Sequence, residues 1–262
     1  MVAATVADVL GIHAGEVTTL LGDTAGPPSH LTAGSWGTTT AVPAARKAAL
    51  DLLDALRRLD PDAPEGTPPQ EILRRAGRPF LEVEARTLAP GAPDAAFERL
   101  AGGRLAMAGP EYPDFVSFSY IAHFVEVRVE PGTRRVRVPR VVTVADCGRV
   151  VSPRTARSQV QGGVVWGIGA ALREASEVDP RFGGFLNADL AEYVIPVNAD
   201  IGDIQVEFID QPDPLLNDAG VKGLGEVAIV GVAAAVANAV HHATGVRVRT
   251  LPIRLDRLLG RM

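Results

Sequence analysis

The strongest constraint on how this chain can fold is a glycine-rich loop at residues 220–226 (GVKGLGE), which leads directly into an apolar helix pattern over residues 227–240. Glycine lacks the Cβ atom that disfavours positive φ, so three glycines in six residues predict a sharply turned backbone that a ligand can approach closely. Glu226 stands where this loop becomes the helix, and a carboxylate held on rigid backbone is a candidate general base. The alternative is an acid in a first helical turn, where the helix dipole favours negative charge. On this motif alone, the alternative is the favoured interpretation.

Four further motifs stand elsewhere in the chain, and their order and spacing are more specific than any one of them. They are residues 144–153 (VADCGRVVSP), 158–169 (SQVQGGVVWGIG), 192–200 (EYVIPVNAD) and 237–245 (ANAVHHATG). Together with the glycine-rich loop they resemble the C-terminal part of the molybdenum-binding large subunit of the xanthine dehydrogenase and aldehyde oxidase family. The closest likeness is to bacterial, periplasmic-type aldehyde oxidoreductases. Residues 22–24 (GDT) and 34–38 (GSWGT) extend the likeness over nearly the whole chain.

This resemblance implies that Glu226 is the catalytic residue. It would act as the general base that takes a proton from the water-derived oxygen group transferred to the substrate. The implied activity is the hydroxylation of aldehydes to carboxylic acids, or of aza-heterocycles, with water as the oxygen donor. The alternative is a truncated, non-catalytic remnant that acts only as a subunit-interaction module.

Cofactor contacts are expected first at residues 34–38, between a loop and a helix start. Backbone N–H groups at a helix N-terminus form a natural anion site. A Ser or Thr N-cap is the alternative interpretation. In the resembled family this loop wraps the pterin cofactor and its phosphates, which implies contacts from Gly34, Ser35, Gly37 and Thr38, with Trp36 in the wall.

The remaining expected cofactor contacts lie in residues 158–169 and in the glycine-rich loop. A glutamine side chain offers two donors and an acceptor, which suits a polar heterocycle. A surface glutamine on a helix is the alternative for Gln159. The resemblance implies that Gln159 hydrogen-bonds near the dithiolene end of the cofactor and that Gly162 and Gly163 let it approach the helix. In the glycine-rich loop, the expected contacts are Lys222, Gly223 and Gly225.

The expected cofactor is molybdenum–molybdopterin, in its cytosine dinucleotide form. In the resembled family the dithiolene of the pterin, and no protein side chain, holds the metal. The chain has one cysteine, Cys147, so it cannot ligate an iron–sulfur cluster. The resemblance implies [2Fe–2S] and FAD centres, and these are expected on partner subunits. A further partner would supply the N-terminal half of the molybdenum subunit, which has no counterpart here.

The composition is that of an ordinary soluble protein, and it argues against only a few classes of partner. The formal charge of −5 gives no electrostatic reason to expect nucleic acid or an anionic membrane as a partner. Residues 227–240 are too few to span a bilayer, and no secretory signal is visible. The expected location is the cytoplasm, or the periplasm if a signal-bearing partner carries the chain across.

The expected fold class is α+β, with helices packed on mixed or antiparallel sheets. Residues 1–262 are expected to form one C-terminal molybdopterin-binding domain, with a possible sub-boundary at the proline-rich residues 61–69. Periodicity predicts helices at residues 2–10, 44–59, 154–175 and 227–240, a hairpin from residues 115–129 and 136–144, an α+β excursion over residues 71–110, and strands at residues 17–21, 190–195 and 204–209.

Overall fold

The computed structural model describes residues 1–29, 32–105 and 112–259. The described chain divides into two units. Unit 1 comprises Met1–Phe118, Cys147–Pro153 and Asp210–Gly223, and unit 2 comprises Ser119–Asp146, Arg154–Ile209 and Leu224–Met262. The proline-rich residues 61–69 lie inside unit 1, so this division falls at other places in the chain.

Unit 1 is built on a pair of packed helices. Helix α1 (Val2–Leu10) ends at Gly11, whose left-handed φ of 66° stops the helix, and it packs against α2 (Gly37–Leu59). Val42, Ala49 and Leu56 of α2 are almost fully buried, and their spacing of seven residues puts them on one face. Two short helices follow, α3 (Pro69–Arg75) and α4 (Ala95–Ala101).

Three of the expectations for unit 1 need correction. Residues 17–21 form no strand; Leu20 and Leu21 are exposed, and β-rich composition makes no strand where no neighbouring strand pairs with it. Helix α2 begins at Gly37, earlier than residue 44, because Pro43 is accommodated inside the helix. The excursion over residues 71–105 is helical and irregular without a strand, and residues 106–110 of that prediction lie outside the described residues.

Unit 2 contains a mixed three-stranded sheet. Strand β1 (Tyr120–Val129) and strand β2 (Val136–Asp146) pair antiparallel, which confirms the predicted hairpin, although β1 begins at Tyr120 and not at residue 115. Strand β3 (Ile201–Phe208) pairs parallel with β2 on its other side, in the order β1-β2-β3. The α+β class with a mixed sheet is therefore confirmed.

Three helices complete unit 2, namely α5 (Pro153–Leu172), α6 (Val227–Val230) and α7 (Val232–Thr244). The core contains Val164 and Ile168 of α5 and Val232, Val236 and Val240 of α7, packed with Val138 and Val141 of β2. The predicted helix over residues 227–240 is thus two helices, interrupted at Gly231.

The segment Val227–Thr244 is long and apolar enough, judged by length and composition alone, to cross a bilayer. Gly231 interrupts it, and Val232, Val236 and Val240 lie in the core of unit 2. Over the whole segment, 22% is buried in the structure, and these three valines lie on one face of α7.

Residues 190–195 contain no strand, contrary to expectation. The carboxylate of Asp189 accepts hydrogen bonds from the backbone N–H groups of Ala191 and Glu192, which turns the chain at the start of that segment. The strand expected at residues 204–209 is confirmed as part of β3.

Candidate functional site

In unit 1, the loop before α2 presents the N-terminus of that helix without a side-chain cap. Gly34 and Ser35 both have left-handed backbones, with φ of 56° and 65°. Trp36 is the N-cap residue, and its side chain makes no capping hydrogen bond. The expected alternative of a Ser or Thr N-cap is therefore wrong. Gly37 and Thr38 are the first two residues of α2, where backbone N–H groups have no partner within the helix.

The side chains of this loop pack locally. A Cβ atom at Gly34 would lie 2.9 Å from the indole ring of Trp36, so the glycine makes room for that ring. The hydroxyl of Thr38 lies 3.1 Å from the sulfur of Met1.

The glycine-rich loop is held in unit 1 by backbone pairing with the segment that follows β2. Gly148 and Val221 form an isolated antiparallel bridge, and the N–H of Lys222 donates to the carbonyl oxygen of Cys147 at 2.9 Å. The side chain of Asn217 both donates to and accepts from the backbone of Val221, at 2.9 and 3.2 Å. Sequence reasoning gave Asn217 no such role.

This pairing brings two of the expected cofactor segments together. A Cβ atom at Gly223 would lie 2.8 Å from the carbonyl oxygen of Ser35, so the two loops are in close contact. Lys222 is buried, with 9% of its surface exposed. An ammonium group and an uncapped helix N-terminus are both features that favour an anionic ligand.

In unit 2, Glu226 is the N-cap residue of α6 and is exposed. The preceding residue, Gly225, is tied to α5, because the side-chain amide of Gln159 donates to its carbonyl oxygen at 2.8 Å. Sequence reasoning placed Gln159, Gly225 and Glu226 in one site, and the structure brings all three together. It also gives Gln159 a partner in the protein.

The two glycines of α5 have different surroundings. A Cβ atom at Gly163 would lie 2.6 Å from that of Ala228, so this glycine lets α5 and α6 pack closely. A Cβ atom at Gly162 would meet nothing within 4 Å. Gly162 therefore leaves an open surface that a ligand could cover, whereas Gly163 already contacts protein.

A histidine that sequence reasoning did not select lies under the start of α7. Nδ1 of His123 is 2.8 Å from the hydroxyl of the buried Thr143, and a Cβ atom at Gly231 would lie 2.9 Å from the imidazole ring. Burial lowers the pKa of His123, and the nearby backbone of Ala228 opposes part of that shift. Nε2 of His123 is buried without a hydrogen-bond partner among the described residues. The sequence could have indicated His123, because it is the one polar residue among the apolar residues on the inward face of β1.

The described side chains offer no cluster of the kind that holds a metal ion directly. Over the part of the chain that the structure describes, no group of three or more His, Cys, Asp or Glu side chains could hold a metal ion. Within unit 1, the start of α2 without a side-chain cap is suited to an anionic group.

Comparison with known proteins identifies the family. Residues 1–202 match the family described as molybdopterin cofactor-binding domain. This match ends before the glycine-rich loop, so it does not include Glu226.

Two relatives extend the match to the rest of the chain. The chain is 38% identical, over 267 aligned residues, to the aldehyde oxidoreductase molybdenum-binding subunit PaoC of Escherichia coli K12, covering all of this chain and 35% of that subunit. It is 29% identical over 252 residues to the 6-hydroxypseudooxynicotine dehydrogenase complex subunit gamma of Paenarthrobacter nicotinovorans, covering 87% of this chain and 30% of that subunit.

A solved structure shows the same fold. The aldehyde oxidoreductase from Desulfovibrio gigas superposes with a TM-score of 0.77 at 25% identity, over 99% of this chain and 27% of that one. The chain thus spans about a third of the length of the curated relatives it matches. It belongs to the molybdopterin cofactor-binding domain family, and it corresponds to part of the molybdenum-binding subunit of the xanthine dehydrogenase and aldehyde oxidase family.

Proposed function

We propose that this chain is the molybdenum-cofactor-binding portion of an oxidoreductase that converts aldehydes to carboxylic acids with water as the oxygen donor. The observation that carries the proposal is the exposed carboxylate of Glu226 at the start of α6, beside a loop that Gln159 fixes through Gly225. Aldehydes are preferred over aza-heterocycles because a relative that matches along the whole chain is named an aldehyde oxidoreductase subunit.

The residues of unit 1 would hold the anionic end of the cofactor. Backbone N–H groups of Gly37 and Thr38 at the uncapped start of α2 suit phosphate oxygens. Gly34 and Ser35 turn the backbone so that this helix end is presented, and Lys222 and Gly223 adjoin the same loop. A cytosine dinucleotide form, which carries two phosphates, is the form we propose.

The residues of unit 2 would act at the redox end. When bound, the cofactor supplies two-electron redox chemistry and the water-derived oxygen group. The carboxylate of Glu226 would serve as the general base that accepts a proton in this chemistry. Gly225 keeps the carboxylate in place through its bond from Gln159, while Gly162 provides the open surface on α5.

The overall reaction consumes an aldehyde and water and yields a carboxylic acid, two protons and two electrons. This chain has a single cysteine, so the electrons need an acceptor elsewhere. We propose iron–sulfur and FAD subunits as that acceptor, and a further chain that supplies the rest of the molybdenum subunit. The assembly would work in the cytoplasm, or in the periplasm if a partner carries it there. The alternative, a non-catalytic interaction module, gains no support from relatives named as oxidoreductase subunits.

The test is purification of the tagged chain from its own host, with molybdenum and pterin content measured and co-purifying proteins identified. The proposal predicts near-stoichiometric molybdenum together with iron–sulfur and flavin proteins. An unrelated protein with the same tag, purified from the same host, gives the background. A chain that purifies without molybdenum and without partners would contradict the proposal and support the non-catalytic alternative.

A further inference from the structure

Unit 1 contains a cavity of about 230 Å³ between α1, α2 and the segment that follows β2. One part of its wall is polar and includes Asp8 of α1, Arg46 of α2 and Arg149. Another part is apolar and includes Val42 and Val151. No residue of this wall is among those assigned to the cofactor or to proton transfer, so the inference does not rest on the proposed function.

Arg46 is the feature that points to a ligand. Its Nε atom is buried and has no hydrogen-bond partner among the residues that the structure describes. A guanidinium group is always charged, and a buried N–H without an acceptor is costly. The planar arrangement of the N–H groups of arginine matches the two oxygens of a carboxylate.

Arg149 adds a second cation to the wall. Its guanidinium group forms an ion pair with the carboxylate of Asp8 at 3.0 Å. The side chains of both residues are partly exposed, at 43% and 59%, so this side of the cavity opens to solvent. Two arginines and one aspartate leave the wall with a net positive charge, and Asp8 competes with any anionic ligand for Arg149.

We propose that this cavity binds a small carboxylate that carries a short apolar tail. The carboxylate would accept hydrogen bonds from Arg46 and Arg149, and the tail would contact Val42 and Val151. Inorganic phosphate shares the charge but has no apolar part, and it would place polar oxygens against the valines. The apolar wall therefore selects the carboxylate.

The test measures butyrate binding to the purified protein, in the assembly in which it is isolated, by calorimetric titration at low ionic strength. Replacement of Arg46 by Gln is expected to weaken binding by about tenfold or more, as for loss of a charge-assisted hydrogen bond. The matched control is Lys47→Gln, because Lys47 is the next residue of α2, pairs with Asp51 and does not line the cavity. That control should bind butyrate as the unaltered protein does.

A second variant is expected to bind butyrate more tightly, and misfolding would not produce that result. Asp8→Asn removes the carboxylate that competes for Arg149 and should tighten butyrate binding severalfold. Inorganic phosphate, titrated in the same way, should bind more weakly than butyrate. The proposal is overturned if butyrate does not bind, if Lys47→Gln weakens binding as much as Arg46→Gln, if Asp8→Asn weakens binding, or if phosphate binds as tightly as butyrate.

Discussion

The side-chain amide of Gln159 donates a hydrogen bond to the carbonyl oxygen of Gly225, the residue immediately before Glu226, at 2.8 Å. These residues are far apart in sequence, and the bond joins α5 to the start of α6. A glutamine expected only to contact a cofactor therefore also positions the backbone of the proposed general base. The two roles are compatible, because a glutamine amide has a second N–H and a carbonyl oxygen.

Replacement of Gln159 by Ala should lower the molybdenum content of the assembled protein and reduce its turnover. The lost hydrogen bond should also lower the free energy of unfolding by about 1 kcal/mol. Gln161→Ala is the matched control, because Gln161 lies two residues further along α5, on another side of the helix, and donates to the carbonyl oxygen of Ile204 at 3.3 Å. Metal content and unfolding should be measured for both variants. Equal molybdenum content in the two would contradict a cofactor contact at Gln159.

Replacement of Gly162 and of Gly163 in α5 by alanine should change the stability of unit 2 in opposite directions. Gly163→Ala places a methyl group 2.6 Å from Cβ of the buried Ala228 and should destabilise unit 2 by roughly 1–3 kcal/mol. Gly162→Ala meets nothing within 4 Å and should stabilise the helix by roughly 0.5–1 kcal/mol. Urea unfolding followed by circular dichroism measures both. If Gly163→Ala is as stable as Gly162→Ala, the close packing of α5 on α6 is refuted.

His123 should make unit 2 less stable in mild acid. Burial lowers its pKa below the ordinary value of 6.5, so the unfolded chain takes up a proton at a pH where the folded chain does not. The contribution of His123 to stability is therefore present above about pH 6.5 and is lost as the pH falls below it. The free energy of unfolding should fall more steeply from pH 7 to pH 5 in the unaltered protein than in His123→Gln. Parallel curves would show that His123 has no such linkage.

Periodicity in the sequence predicted helices and strands well where the hydrophobic pattern of the element itself determines its structure. Helix α1, the hairpin of β1 and β2, and α5 all carry periodicity that continues through the element. Residues 17–21 and 190–195 have strand-like composition, but a strand exists only if a neighbour pairs with it, and a single sequence does not show the neighbour. The interruption at Gly231 was missed because the apolar pattern runs unbroken across it.

The contacts that hold the candidate site residues in place were not predicted from the sequence. Resemblance selected Gln159, Gly163 and Glu226 but gave no sign that Gln159 bonds to Gly225 or that Gly163 packs on Ala228. Both contacts join segments more than sixty residues apart, and such contacts are set by the fold. Arg46 was missed for the same reason, since one arginine on an amphipathic helix is unremarkable until the wall opposite it is known.

The most direct test of the central proposal is the turnover of Glu226→Gln in the assembled complex, measured together with its molybdenum content. Glutamine keeps the size of the side chain but cannot accept the proton, so turnover of an aldehyde should fall by about 10³-fold with the metal content unchanged. Glu207→Gln, an exposed glutamate of β3, should leave both quantities as they are. If Glu226→Gln turns over at the rate of the unaltered complex with the same molybdenum content, Glu226 is not the base and the proposed mechanism is wrong.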